Sequence, residues 1–176
     1  MTQSRIPVPP EIVEVTPETE FESFLAVVRN SVGSHMFRNF FVRREGELFD
    51  ALHDGERSCA FYVSSILTIF KKIGSFHNTV RSTVQDLARS GWVQVEDLDS
   101  LAAGDVLVWG AELIGESWHS HVGFYLTEGT AVSISAETGT PVRHHDHPNH
   151  AWSAIAAAYR LPTWAPRPAP PVEGAR

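Results

Sequence analysis

The chain has 176 residues, a formal net charge of −7 and a hydrophobic fraction of 43%, which suits one domain with a buried core. The negative charge and the lack of a Lys and Arg cluster argue against a nucleic-acid partner, which needs a basic surface. The single cysteine excludes an internal disulfide. No apolar run reaches the length of a membrane span, and no signal peptide is visible at the start. The cellular location is therefore left open, as is the oligomeric state.

The first half of the chain is predicted to be helical. Residues 1–15 are rich in Pro and are expected to form an extended lead-in. Thr16 and Ser58 are predicted to cap the first two helices, because both side chains can accept hydrogen bonds from free backbone N–H groups. A short strand or irregular segment is expected over 37–42. The helices are predicted over Pro17 to about Asn30, Cys59 to about Lys72, and Val80 to Arg89.

The second half of the chain changes to strand patterns. Alternating and β-branched apolar residues between Gly-containing turns indicate a series of antiparallel strands. These strands are predicted over 105–109, 121–126, 130–135, near Val142, and over 154–161. Helices followed by antiparallel strands indicate an α+β domain over residues 16–161. Residues 162–176 are Pro-rich and are expected to form a disordered tail.

Cys59 and His121 are the residues most relevant to chemistry. A free thiol has a pKa near ~8.5, and both a helix N-terminus and a nearby imidazole stabilise its thiolate. Cys59 begins a predicted helix and His121 begins a predicted strand. Taken alone, a cysteine in an apolar run is more often a small buried hydrophobe, and a strand histidine is more often structural. The pair together favours a cysteine hydrolase.

Two downstream segments carry a family resemblance. Residues 121–135 read HVGFYLTEGTAVSIS, and residues 101–109 read LAAGDVLVW. The first resembles the phrase H-V-G-I-Y-L-G-x-G-x-x-I-H-A-S of the NlpC/P60 cysteine peptidases, and the second resembles their L-x-P-G-D-L-V-F-F. Residues 157–161 look like the closing strand of that family. The match runs in order from about Cys59 to Leu161.

The resemblance implies a papain-like core, in which the helix that begins with the nucleophile packs on an antiparallel sheet. It implies Cys59 as the nucleophile and His121 as the general base, with no cofactor and no metal. Members of the family typically hydrolyse amide bonds in peptidoglycan stem peptides. A peptide or peptidoglycan fragment is therefore the expected substrate.

This sequence departs from the family pattern at two places. The usual D-C-S-G around the nucleophile is Ser-Cys-Ala-Phe over residues 58–61. The third catalytic residue of the family is usually a histidine twelve positions after the base, where this chain has Ser133. Glu137 is an alternative third residue, and a carboxylate there would resemble the neighbouring CHAP amidases. Their G-D-V-x-V-W phrase also matches residues 104–109.

Further aromatic and histidine residues surround these motifs. His119 competes with His121 as the base, since both point to one face of a strand; His119, Trp109 and Trp118 are otherwise expected to line a substrate cleft or to pack structurally. The histidine-rich segment His144–His150 is interpreted as a loop, because Pro148 and Asn149 favour one and because its spacing matches no zinc pattern. Such a loop would contact substrate or respond to pH.

The sequence thus leaves three hypotheses. The first is a hydrolase that cleaves an amide bond through a thioester acyl-enzyme. The second is an acyltransferase that uses the same Cys-His pair. The third is a non-catalytic binding domain with a papain-like cleft, which the altered motif around Cys59 and the serine at 133 would favour.

Overall fold

The computed structural model describes residues 14–114, 117–127, 129–145 and 154–164. For residues 111–119 it describes the backbone only, with 115 and 116 omitted. Its helices are α1 (Pro17–Asn30), α2 (Cys59–Ile69) and α3 (Val80–Arg89). The bounds predicted for α1 and α3 are confirmed. Across the described ranges, no helix has both the length and the apolarity to cross a bilayer. The predicted lead-in up to residue 13 and the tail beyond 164 lie outside the described residues.

The strands form two antiparallel sheets. The small sheet is a hairpin, and the large sheet has the strand order β3-β8-β4-β5-β6-β7. The small sheet contains β1 (Phe41–Arg44) and β2 (Glu47–Asp50); the large sheet contains β3 (Val93–Gln94), β4 (Val106–Ile114), β5 (Ser117–Thr127), β6 (Thr130–Ser135), β7 (Thr140–His145) and β8 (Ile155–Arg160). The predicted α+β class with an antiparallel sheet is therefore confirmed.

The helix ends follow their local chemistry, with one exception. The Thr16 side chain accepts from the backbone N–H of Thr19, and the Thr19 hydroxyl accepts from the backbone N–H of Thr16, which closes a capping box. Ser58 does not cap α2 in this way, so that prediction is wrong. Its hydroxyl instead donates to the Gly55 carbonyl at 2.9 Å.

The two faces of the large sheet bury different sets of residues. The face toward the helices contributes Val106, Val122, Phe124 and Val132 to the main core, which α1 and α2 cover. The opposite face carries a smaller cluster of Leu107, Trp109, Ala131 and Ala158. Because side chains alternate along a strand, each of β4, β5 and β6 serves both clusters. His121 and Ser133 share the parity of the smaller cluster.

Trp164 extends the folded domain past the last strand. Its side chain is only 4% exposed and its ring centroid lies 4.4 Å from that of Phe24 on α1. The Lys72 ammonium sits 4.6 Å from the ring centre, a cation–π contact. The core therefore includes a residue from the segment that the Pro-rich composition assigns to the tail.

We expect Trp164→Ala to destabilise the protein by about 3–5 kcal/mol, the usual cost of truncating a buried Trp. Urea unfolding followed by circular dichroism measures this change. Thr163→Ala is the matched control, because Thr163 is the exposed neighbour. Equal midpoints for the two variants would show that Trp164 is not part of the stable core.

Candidate functional site

The carboxylate of Asp50 organises the loop before α2. The Asp50 side chain accepts from the backbone N–H groups of Phe40 at 3.0 Å, Leu52 at 3.1 Å and Asp54 at 2.8 Å. Burial alone raises the pKa of Asp50, but these hydrogen bonds and one from Asn39 outweigh it and lower the pKa to about 2. The loop is therefore ordered around an ionised carboxylate, and it delivers the chain to Cys59 in a fixed position.

The same loop packs directly against the turn between β6 and β7. A Cβ on Gly55 would lie 2.5 Å from the Gly139 carbonyl oxygen, and one on Gly139 would lie 2.5 Å from the Asp54 carbonyl oxygen. Both glycines have positive φ, 93° and 64°, which other residues rarely adopt. This close backbone approach fixes the start of α2 relative to the β6–β7 hairpin.

Cys59 is the first residue of α2, as predicted. The residue as a whole is partly exposed, while its side chain packs against the main core. Burial of the thiol raises its pKa to about 11. Hydrogen bonds from the backbone N–H groups of Val122, Ala60 and Cys59 itself oppose this rise without cancelling it. At neutral pH the resting group is therefore the thiol, not the thiolate that the helix N-terminus was expected to favour.

The start of α2 lies beside β5, because α2 packs on this strand and the Val122 N–H is close enough to the thiol to oppose the rise in its pKa. The β5–β6 pairing ends at Gly123 opposite Ser133, which leaves room for the helix start at this edge. Val122 directly follows His121, so the thiol lies close to the backbone of the predicted base.

His121 belongs to a compact cluster on the face away from α2. Its ring centroid lies 5.4 Å from that of Trp109, and the ring of His144 lies 5.7 Å from the same indole. The Ser133 hydroxyl and Nε2 of His144 are 2.8 Å apart. The structure thus places both imidazoles against Trp109 and joins Ser133 to His144.

Gly123 makes room for this cluster. A Cβ there would lie 2.6 Å from the Val132 carbonyl oxygen, 2.7 Å from Cβ of Ser133 and 3.1 Å from the Trp109 ring. Any larger residue would have to displace backbone. The glycine of the His-Val-Gly motif is therefore required for the indole to lie across β5 between the two imidazoles.

The environment of His121 keeps its imidazole neutral. Burial lowers its pKa to about 3, and the charge on His144 acts in the same direction. A neutral imidazole can accept a proton, which is the state that a general base needs. The site at rest therefore holds a thiol and a neutral imidazole rather than an ion pair.

The remaining predicted residues are placed as follows. Glu137 is exposed in the turn between β6 and β7. Trp118 and His119 lie in β5, where His119 pairs with Glu112 of β4; their side chains are outside the described set. Ser133 bonds to His144, and its role as the residue that orients His121 stays a prediction.

His144 is the site residue that the sequence missed. The histidine-rich segment was interpreted as a loop, which is wrong for His144 and His145, because both belong to β7; residues 146–150 lie outside the described set. The register opposes His144 to Ala131 of β6, so His144 shares a face with Ser133. Alternation counted from Val142 would have found it. Among the described residues no group of three metal-ligating side chains occurs.

Comparison with known proteins adds no identification. No family model matches this chain, and no curated protein matches it in sequence. The described arrangement, a thiol at a helix start beside a strand with a buried neutral imidazole, has the components of nucleophilic acyl transfer.

Proposed function

We propose that the protein is a cysteine hydrolase that cleaves an amide bond through a thioester, with Cys59 as nucleophile and His121 as general base. The observation that supports the proposal is the position of Cys59 at the start of α2, a helix that packs on β5, the strand that carries His121. The papain-like core and the peptidoglycan stem peptide as substrate rest on the NlpC/P60 resemblance.

The proposed reaction follows from the resting protonation states. As the sulfur attacks the carbonyl carbon, the thiol proton passes to His121, and the backbone N–H groups at the start of α2 stabilise the oxyanion. The C–N bond then breaks, and the imidazolium gives its proton to the leaving amine. Water next attacks the thioester, with His121 accepting its proton, and releases the carboxylic acid and the free thiol.

The raised thiol pKa is also the observation that favours a second candidate, a non-catalytic binding domain. A thiol with a pKa of about 11 is a weak nucleophile at neutral pH. The hydrolase proposal requires His121 to remove the proton during attack, so that little free thiolate is needed beforehand. The two candidates therefore differ in whether Cys59 affects turnover.

The test combines hydrolysis with thiol labelling. We expect the protein to release amines from purified peptidoglycan stem peptides and Cys59→Ala to abolish that release. Alkylation of Cys59 by iodoacetamide, followed by intact mass, should be slow at neutral pH and accelerate about tenfold per pH unit up to about 11.

Ser65→Ala is the matched control, since Ser65 lies on the same helix with intermediate exposure. It should keep wild-type hydrolysis. Equal hydrolysis by Cys59→Ala and the wild type would overturn the proposal. Absence of hydrolysis in the wild type, together with stem-peptide binding that survives Cys59→Ala, would favour the binding domain instead.

A further inference from the structure

The backbone of β5 presents one side to β4 and the other side to β6. The N–H of Tyr125 donates to the Asp105 carbonyl at 2.8 Å, and the N–H of Gly104 donates to the Tyr125 carbonyl at 2.9 Å. Backbone groups of residues with the parity of Tyr125 therefore face β4. Those of opposite parity, including Val122, face β6. The Val122 N–H therefore points to the side on which it opposes the rise in the pKa of the Cys59 thiol.

Ser120 has the same parity as Val122, so its backbone groups also point away from β4. The register shifts between Trp109, which pairs with His121, and Glu112, which pairs with His119. The shift adds its extra residue to β4, so β5 stays regular and its alternation is preserved. The N–H and C=O of Ser120 thus point to the same side as those of Val122.

This side of β5 is open next to the thiol. The β5–β6 pairing runs from Thr127 only as far as Gly123, and in the described part of the chain no strand pairs with β5 on this side before Gly123. Ser120 is exposed. An unpaired strand edge is a template for another extended chain.

We propose that an extended peptide substrate pairs with the Ser120 edge of β5, so that its main chain runs past Cys59. This inference rests on the proposed function and names its recognition mode. Strand pairing uses the main-chain N–H and C=O of alternate residues, so the edge selects a linear peptide and is tolerant of side-chain identity. The pairing also fixes which carbonyl of the bound peptide lies beside the sulfur, because Val122 is two residues from Ser120 along the same edge.

The test is a scan with N-methylated probes. An acetyl-tetra-alanyl vinyl sulfone traps the thiol, because the sulfur adds to the vinyl carbon and the thiol proton moves to the adjacent carbon. Four further probes each carry one N-methyl amide. We expect methylation at alternate amides to slow inactivation about tenfold, the size of one lost hydrogen bond, and methylation at the intervening amides to have little effect.

Variants at Ser120 provide the protein side of the test. Ser120→Pro removes an N–H on the open side, where an edge strand tolerates proline, and should slow the unmethylated probe about tenfold. Ser120→Ala keeps the N–H and should match the wild type. Both variants should react with iodoacetamide, which needs no strand pairing, at the wild-type rate.

The outcomes separate this inference from the hydrolase proposal. Equal inactivation by all five probes, or a methyl effect without alternation, would overturn the pairing while leaving Cys59 catalysis intact. If hydrolysis does not require Cys59, the hydrolase proposal itself is wrong. If light scattering shows a dimer that Ser120→Pro disrupts, the edge is occupied by a second copy of the chain, and the substrate inference is wrong.

Discussion

His121→Gln is expected to lower the hydrolysis rate by about 10²–10⁴-fold, the usual contribution of a general base. Glutamine keeps much of the imidazole volume beneath Trp109, so the loss reports chemistry more than packing. Turnover of purified stem peptides, normalised to the folded fraction, measures the effect. The exposed His35 supplies the matched control, and His35→Gln should retain full turnover.

The pH dependence of stability tests separately whether His121 is buried as a neutral imidazole. The pKa of His121 is about 3 in the folded protein and near ~6.5 in the unfolded chain. Between these values the unfolded chain binds the extra proton, so acidification from pH 6.5 toward 3 lowers the free energy of unfolding. His121→Gln should remove that part of the acid sensitivity. Unchanged turnover in His121→Gln would exclude His121 as the base.

Asp105→Ala is expected to lower the free energy of unfolding by about 3–5 kcal/mol, because it breaks a buried ion pair. The Asp105 carboxylate is 1% exposed and accepts from Nε and Nη2 of Arg160 at 2.8 and 2.6 Å. It also accepts from the backbone N–H of Ala102 at 2.8 Å. Truncation leaves the Ala102 N–H and Nε of Arg160 without this acceptor, while Nη2 of Arg160 keeps only its bond to the Ser100 carbonyl.

Chemical denaturation of Asp105→Ala and of the exposed Asp99→Ala provides the comparison. Asp99→Ala should stay within about 0.5 kcal/mol of the wild type, as surface substitutions do. Asp105→Asn should fall between them, since an amide oxygen can still accept from Ala102. A midpoint for Asp105→Ala close to that of Asp99→Ala would contradict a stabilising role for the ion pair.

The sequence predicted the regular parts of the fold because local signals and tertiary packing agree there. Thr16 and Thr79 cap α1 and α3, and both helices have the predicted bounds. The helix α2 ends at Ile69, earlier than the predicted end near Lys72. Lys71 has a φ of 55°, which ends the helix, but no glycine marks this position in the sequence. The hairpin strand β2 was missed, since it is only four residues long and its two apolar residues are adjacent rather than alternating.

The site was predicted where a motif fixes the spacing and missed where strands from distant segments converge. Trp109 and Ser133, both candidate site residues from the sequence, lie against Gly123 of the His-Val-Gly motif. His144 joins the cluster through the β6–β7 register, but Pro148 and Asn149 favoured a loop and outweighed the strand alternation that runs from Val142. The protonation states also depend on burial, so the sequence favoured a thiolate where desolvation maintains a thiol.

The contact between Gly55 and Gly139 has a consequence for how this protein tolerates change. The two positions are far apart in sequence and carry no reactive group, yet a methyl at either would separate the segment that holds Cys59 from the hairpin that holds Ser133 and His144. In a complete substitution library, both positions should accept only glycine. Insertions in the β6–β7 turn should likewise inactivate the protein, although exposed turns ordinarily accommodate extra residues.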